Sequence, residues 1–304
     1  MAARVFRCAD AAEARAEPLY GTASVVRKWL LIEQPGSWGY DPLTQSLFPK
    51  KAAWELRERT RAAGIRIVLI RRGVRLSSPQ RQCYFARTED RRLHLSRLTV
   101  ESLNDLLDVD LAPLSDGGLI TGAVERRAPL FLVCTHGRHD ACCAIRGNQV
   151  SRVACAVPEA DAWECAHIGG DRFAANVVCF PHGVYYGRVA PQDVAALMDA
   201  YGDGRLSLGH YRGRCCHSYA VQAAEYFVRR ESGTTRIDDL WLAKVSRKDE
   251  RGLTATFTMV HGRQAEVKIR VSQTTKGYRL TCGASGTSFI PGYELDSLAF
   301  AASR

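Results

Sequence analysis

The chain has 304 residues, of which 46% are hydrophobic and 24% charged, and it carries a formal net charge of +10 at pH 7. Such a composition excludes a disordered or low-complexity chain and provides for two or three compact units. No apolar run approaches the roughly 18 residues of a membrane span.

Residues 1–20 mix Arg, Asp, Glu and Ala without the apolar stretch of a signal peptide, so a cytoplasmic location with no membrane attachment is expected. Thiols stay reduced there, and the eleven cysteines read as ligands and buried thiols rather than as a disulfide framework. The arginines are scattered, with no RNA-binding signature and no basic helix interleaved with aromatics, so nucleic acid is not an expected partner. The charge reads as a solvated basic surface or as a footprint for an acidic redox protein.

Taken in order, residues 27–33 read as a strand, and a loop Pro35-Gly36-Ser37-Trp38-Gly39 follows. A helix over 50–63 ends at Gly64, the residue type expected just past a helix end. Residues 65–70 form a second strand, 82–87 and 92–97 a hairpin, and Thr99 caps a helix that places Val100, Leu103, Leu106 and Leu107 on one face. After Ser115-Asp116-Gly117-Gly118 the same order returns. Residues 129–133 are a strand, Asn148 caps a short helix reaching Ala156, and 162–167 are the next strand. Residues 176–180 and 184–189 flank the turn Pro181-His182-Gly183, and Pro191 opens a helix with Gly202 past its end.

Each half therefore reads β-α-β-β-β-α, the connectivity of a thioredoxin-like α/β (α+β) sheet. The expected units are 1–115, without candidate ligands, 116–203, with them, and 204–304. The last unit reads as a helix over 218–230, with Tyr219, Ala223, Tyr226 and Phe227 on one side, followed by an antiparallel meander of strands at 239–245, 253–260, 265–271 and 278–282. No catalytic motif appears in it. Cys215-Cys216-His217 is its one cluster of donors, and adjacent cysteines do not readily chelate one ion, so both thiols read as structural.

The chemistry gathers between Phe131 and Asp171. Cys134-Thr135-His136-Gly137-Arg138-His139-Asp140-Ala141-Cys142-Cys143 follows one strand, and Cys165-Ala166-His167-Ile168-Gly169-Gly170-Asp171 ends the next. In a βαβ unit both strand tips lie at one edge of the sheet, where ligands of α/β folds usually bind. Thiolate and imidazole donors brought together there can converge on one metal centre.

The pattern Cys-x-His-Gly-x-x-Asp-x-x-Cys over 134–143, followed by His-x-Gly-Gly-x-x-Phe-Ala over 167–174, resembles the sucrase/ferredoxin-like family of thioredoxin-like ferredoxins. The resemblance extends to Tyr186-Gly187-Arg188 and loosely to Tyr211-Arg212-Gly213. It implies a [2Fe-2S] cluster held by two cysteines separated by eight residues and two histidines separated by three. Cys134, Cys143 and His167 match. Asp171 stands where the second histidine is expected, which leaves Asp171 as the fourth ligand, with Cys165 as the alternative and Cys142, His136 or water behind them.

Imidazole in place of thiolate lowers the negative charge on such a cluster and raises its potential. Arg138, Arg146, Arg172 and Arg188 lie near the motifs and read as surface cations or as counter-charges to Asp171. His136 and His139 read as loop or supporting hydrogen-bonding residues, and Cys8, Cys83, Cys155, Cys179 and Cys282 as core thiols. The leading expectation is an electron-transfer protein that docks redox partner proteins, a reductase and an acceptor, without converting a substrate. The rivals are a thiol-dependent redox enzyme, although no Cys-x-x-Cys occurs, and a zinc-stabilised binding module, for which two cysteines, one histidine and an Asp or further Cys suffice.

Overall fold

The computed structural model describes residues 5–72, 80–247, 249 and 251–301. Helix α1 (Cys8–Ala14) precedes β1 (Lys28–Glu33), α2 (Pro42–Gln45), α3 (Lys50–Ala62), β2 (Ile65–Arg71), β3 (Arg81–Glu89) and β4 (Arg92–Val100). Then come α4 (Ala112–Asp116), β5 (Val124–Glu125), β6 (Leu130–Cys134), α5 (Ala141–Ala154), β7 (Asp161–Cys165), β8 (Val177–Phe180), β9 (Val184–Tyr186), α6 (Val194–Gly202) and β10 (Tyr211–Arg214). The C-terminal unit holds α7 (Tyr219–Ser232), β11 (Leu240–Arg247), β12 (Gly252–Met259), β13 (Gln264–Gln273) and β14 (Pro291–Ala301).

Strands β1 to β10 make one sheet in the order β10-β9-β8-β6-β7-β2-β1-β3-β4-β5. The halves are equivalent: β2-β1-β3-β4 in the first mirrors β7-β6-β8-β9 in the second. In each, only the βαβ pair is parallel among the described strands. This is the thioredoxin-like arrangement, present twice. β2 and β7 join the halves antiparallel through just Ile70↔Cys165 and Arg71↔Glu164. Strands meeting by their C-terminal residues bring the loops that follow β1 and β6 to the same corner.

Near-continuous apolar runs make the central strands. All five residues of β6 are buried, and so are Trp29 to Ile32 of β1, the pattern of strands covered on both faces. Phe131 and Val133 pack under Val150 and Ala154 of α5 and Leu197 and Met198 of α6, whereas Leu132 and Cys134 join the core shared with the first half. The second sheet is a meander whose period-2 alternation in β12 (Leu253, Ala255, Phe257, Met259) faces Ala220, Ala223, Ala224, Phe227 and Val228 of α7.

Several boundaries differ from those read off the sequence. Helix α5 begins at Ala141, not Asn148, because the Asp140 carboxylate accepts the Cys142 N–H at 2.8 Å and caps it. Thr99 lies inside β4, and Ser102 caps a short 3₁₀ turn over Leu103–Leu107 instead. Strand β7 stops at Cys165, which leaves His167 in a loop. Tyr219 is exposed rather than on the packed face of α7. The fourth strand of the meander is Pro291–Ala301. Tyr278 makes only an isolated bridge with Ser288, and the stretch containing Cys282 is irregular.

Candidate metal centre

Cys134 is the last residue of β6 and faces Cys165, the last of β7, across the parallel pair. From Cys134 the chain runs through Thr135–His139 and turns into α5, whose third residue is Cys143. The first turn of α5 thus lies back over the tip of β6. Gly147, one turn further on, permits this approach: a Cβ there would collide with the Cys134 carbonyl. After β7 the chain passes His167 and reverses at Gly169 and Gly170, both with positive φ (100° and 82°), so that Asp171 folds back toward the same point.

The donor atoms of Cys134, Cys143 and His167 lie within 4.8 Å of one another, as do those of His139, His167 and Asp171. The Cys143 thiol donates to Asp171 Oδ1 at 3.1 Å, and that oxygen is 2.9 Å from His167 Nδ1. Cys134, Cys143 and Asp171 are buried, and His167 is partly open. Cys165 is fully buried and falls outside both groups. Cys142 turns away from Cys143.

The site is polarised. Hydrogen bonding from Cys143, then from Cys165 and His167, holds the Cys134 thiol well below its usual range despite burial. The thiol of Cys143 is pushed up by its hydrogen-bonding contact with Cys134 and by burial. Burial opposes a charge on His167, but the hydrogen-bonding neighbours Asp171 and Cys134 raise it to about 9. Its Nδ1 is nevertheless buried without an aligned hydrogen bond, so the contact with Asp171 is charge attraction rather than a directed bond. A buried ring nitrogen left orphaned between two sulfurs and a carboxylate is a donor set suited to a metal.

His136 is spoken for: its Nδ1 accepts the His167 N–H at 3.2 Å, and its Nε2 donates to the Gly39 carbonyl at 2.7 Å. His139 stacks on His167 with ring centroids 3.6 Å apart and 3.8 Å between its Nε2 and Asp171 Oδ2, a proximity that the sequence reading did not foresee. Also unforeseen is the cover supplied by the first half. Trp38 packs edge-on against His136 and Tyr40 stacks on His139, both from the loop after β1. The only sequence signal was positional, since this loop occupies in the first repeat the place that the thiol loop holds in the second.

A groove of about 660 Å³ opens beside the site, and its lining includes His136, His139 and His167 together with Arg57, Arg61 and Arg66. A second cavity, lined by Glu33, Arg72, Tyr84, Arg126, Asp161 and Trp163, contains none of the candidate ligands. Three of the four flanking arginines are engaged elsewhere. Arg146 pairs with Asp10 and Glu13, Arg172 with Glu17, and Arg188 donates to the Glu17 carbonyl, so they pin the N-terminal segment.

The sequence model of sucrase/ferredoxin-like proteins matches residues 19–213. The chain belongs to that family. The C-terminal helix and meander lie outside the match. Among relatives of this sucrase/ferredoxin-like protein is Altered inheritance of mitochondria protein 32 from Meyerozyma guilliermondii, 34% identical over 95 residues that make up 28% of this chain and 34% of the relative. The match thus spans about a third of that relative's length. The thioredoxin-like [2Fe-2S] ferredoxin from Aquifex aeolicus aligns at 17% identity and a TM-score of 0.27, covering 29% of this chain and 94% of that one. A cysteine-to-serine variant of the same ferredoxin aligns at 18% and 0.26, covering 28% and 99%. Among the described residues no helix is long and apolar enough to cross a membrane.

Proposed function

We propose that this sucrase/ferredoxin-like protein is an electron carrier that holds a [2Fe-2S] cluster through Cys134, Cys143, His167 and Asp171. What supports the reading is the meeting of two buried sulfurs with an imidazole nitrogen that makes no aligned hydrogen bond, beside the tips of neighbouring parallel strands. Bound there, the cluster would supply one-electron redox capacity. The protein's own residues set its surroundings: His167 brings a neutral ligand that raises the potential, and Asp171 returns a negative charge that lowers it. His136 holds the His167 backbone N–H and His139 stacks on the His167 ring, and Trp38 with Tyr40 covers the two supporting histidines. The arginine-lined groove offers a docking face to acidic redox partners.

Donor atoms all within 4.8 Å of one another favour one second reading. Donors sharing a tetrahedral ion at bonds of about 2.0 to 2.3 Å stand roughly 3.3 to 3.8 Å apart, so the same residues suit a single zinc ion. Purification without air separates the two. Reddish-brown protein with equal iron and sulfide, bleached by Cys134→Ser or Cys143→Ser but not by Cys155→Ser, supports the cluster. Colourless protein carrying zinc supports the second reading, and an unchanged visible spectrum in Cys143→Ser rejects the ligand assignment. Asp171→Ala set beside Cys165→Ala identifies the fourth ligand, because only the true one costs the cluster.

A further inference from the structure

We infer that Cys8, Cys142, Cys282 and Asp140 form a second metal site, separate from the first, that takes one thiophilic divalent cation, zinc by chemical preference. Their four donor atoms lie within 4.8 Å of one another. Cys142 Sγ is 3.4 Å from Cys282 Sγ, Cys282 Sγ is 3.6 Å from Cys8 Sγ, and Cys8 Sγ is 3.5 Å from Asp140 Oδ1. A tetrahedral zinc ion with sulfur at about 2.3 Å and oxygen at about 2.0 Å places its sulfurs roughly 3.8 Å apart and sulfur and oxygen roughly 3.5 Å apart. The thiols already stand near those separations. A disulfide would consume two of them and leave the third without a role.

The donors come from three remote places: the first residue of α1, the first turn of α5 and the segment between β13 and β14. Cys8, Asp140 and Cys142 are buried and Cys282 half-buried. The neighbouring backbone is set for anions. The Cys8 N–H points to Cys282 Sγ at 3.5 Å, and Asp140, while offering an oxygen, also accepts the N–H groups of Cys142 at 2.8 Å and Cys282 at 2.6 Å. An ionised carboxylate has lone pairs enough for all of these. The N-terminus of α5 favours negative charge at the same point.

An independent feature calls for such a fastening. Between Gln273 and Pro291 the chain runs through 274–290 with no helix or strand, only the bridge Tyr278↔Ser288, yet it lies against α1 and α5. Irregular segments longer than about 12 to 15 residues are uncommon in compact domains and are usually functional. One ion at Cys282 ties this segment to the body of the protein. Cys142 and Cys143 are consecutive and serve opposite sites, so the same ion steadies the turn that carries Cys143.

The test uses the full chain with the first site removed, as Cys134→Ser/Cys143→Ser/His167→Ala. Metal analysis is expected to find one zinc per chain, and cobalt loading is expected to give the intense bands of tetrahedral thiolate coordination. Adding Cys8→Ser and Cys282→Ser abolishes both. In the wild-type chain, Cys8, Cys142 and Cys282 resist alkylation until a chelator is added and then react together, which keeps the inference testable if the variants fail to fold. Zinc content unaffected by Cys8→Ser/Cys282→Ser, a Cys142–Cys282 disulfide found by mass, or alkylation indifferent to chelator would each overturn it. Loss of the first-site reading leaves these readouts unchanged.

Discussion

Both ring nitrogens of His136 are committed, one to the N–H of His167 and the other to the carbonyl of Gly39. His136→Ala strands both backbone groups in a buried setting, which is expected to cost about 1–3 kcal/mol, read by urea unfolding, while the bound cofactor is retained but stripped faster by chelator. The meeting of Cys134, Cys143 and His167 was legible in the sequence, because the segments that follow two neighbouring parallel strands leave the sheet at one edge. His139 was not, since its stack on His167 arises from how the loop closes. Cys8 and Cys282 were read as core thiols and Cys142 as a fallback for the fourth ligand of the first site, because residues more than 130 positions apart in sequence carry no local sign of meeting.

Helix α5 is the element on which both sites depend, and its N-terminus was misplaced because Asp140 read as a loop residue and Asn148 as the cap. Gly147, inside the helix, is the contact point with the tip of β6. Gly147→Ala is expected to force α5 from the Cys134 carbonyl, at about 1–3 kcal/mol or more, with loss of the cofactor. Gly202→Ala, where a Cβ meets nothing within 4 Å, should be neutral or slightly stabilising and serves as control. The doubled β-α-β-β-β-α order was readable from hydrophobic periodicity. Strand β14 was not, because it is exposed or half-buried throughout and has no clean alternation.

At the scale of the molecule, a buried charge network fastens the C-terminal unit to the main sheet. His217 sits 3.2 Å from Asp90, in the β3–β4 turn, and Arg214 of β10 pairs with both Asp90 and Glu225 of α7. Burial opposes the charge on His217, but the Cys216 sulfur and the hydrogen bond with Asp90 raise it to about 10. Burial likewise disfavours the Asp90 carboxylate, yet His217 and Arg214 hold it well below the usual range. A raised folded pKa contributes fully below the unfolded value near 6.5 and is lost as pH climbs through about 10. The depressed carboxylate contributes above about 3.9 and is lost on acidification. Unfolding free energy measured at pH 6 should therefore exceed that at pH 9.5 by on the order of a few kcal/mol, and His217→Gln should flatten that slope.

The joint between the two halves is only two residue pairs long, and Arg71 stands in it. It pairs with Glu164 at 2.8 Å, donates to the Gly36 carbonyl at 2.6 Å and lies 4.2 Å over the Trp38 ring, while Glu164 also takes the Thr135 hydroxyl beside Cys134. Because the halves also share one apolar core, Arg71 acts locally, on the loop that carries Trp38. Loosening that loop would lift the tryptophan roof from the imidazoles while leaving the sulfur donors in place, so that ventilation of the centre is governed from a strand edge. Arg71→Ala should then quicken chelator attack on a bound metal with little change in its stoichiometry, as followed by stopped-flow absorbance.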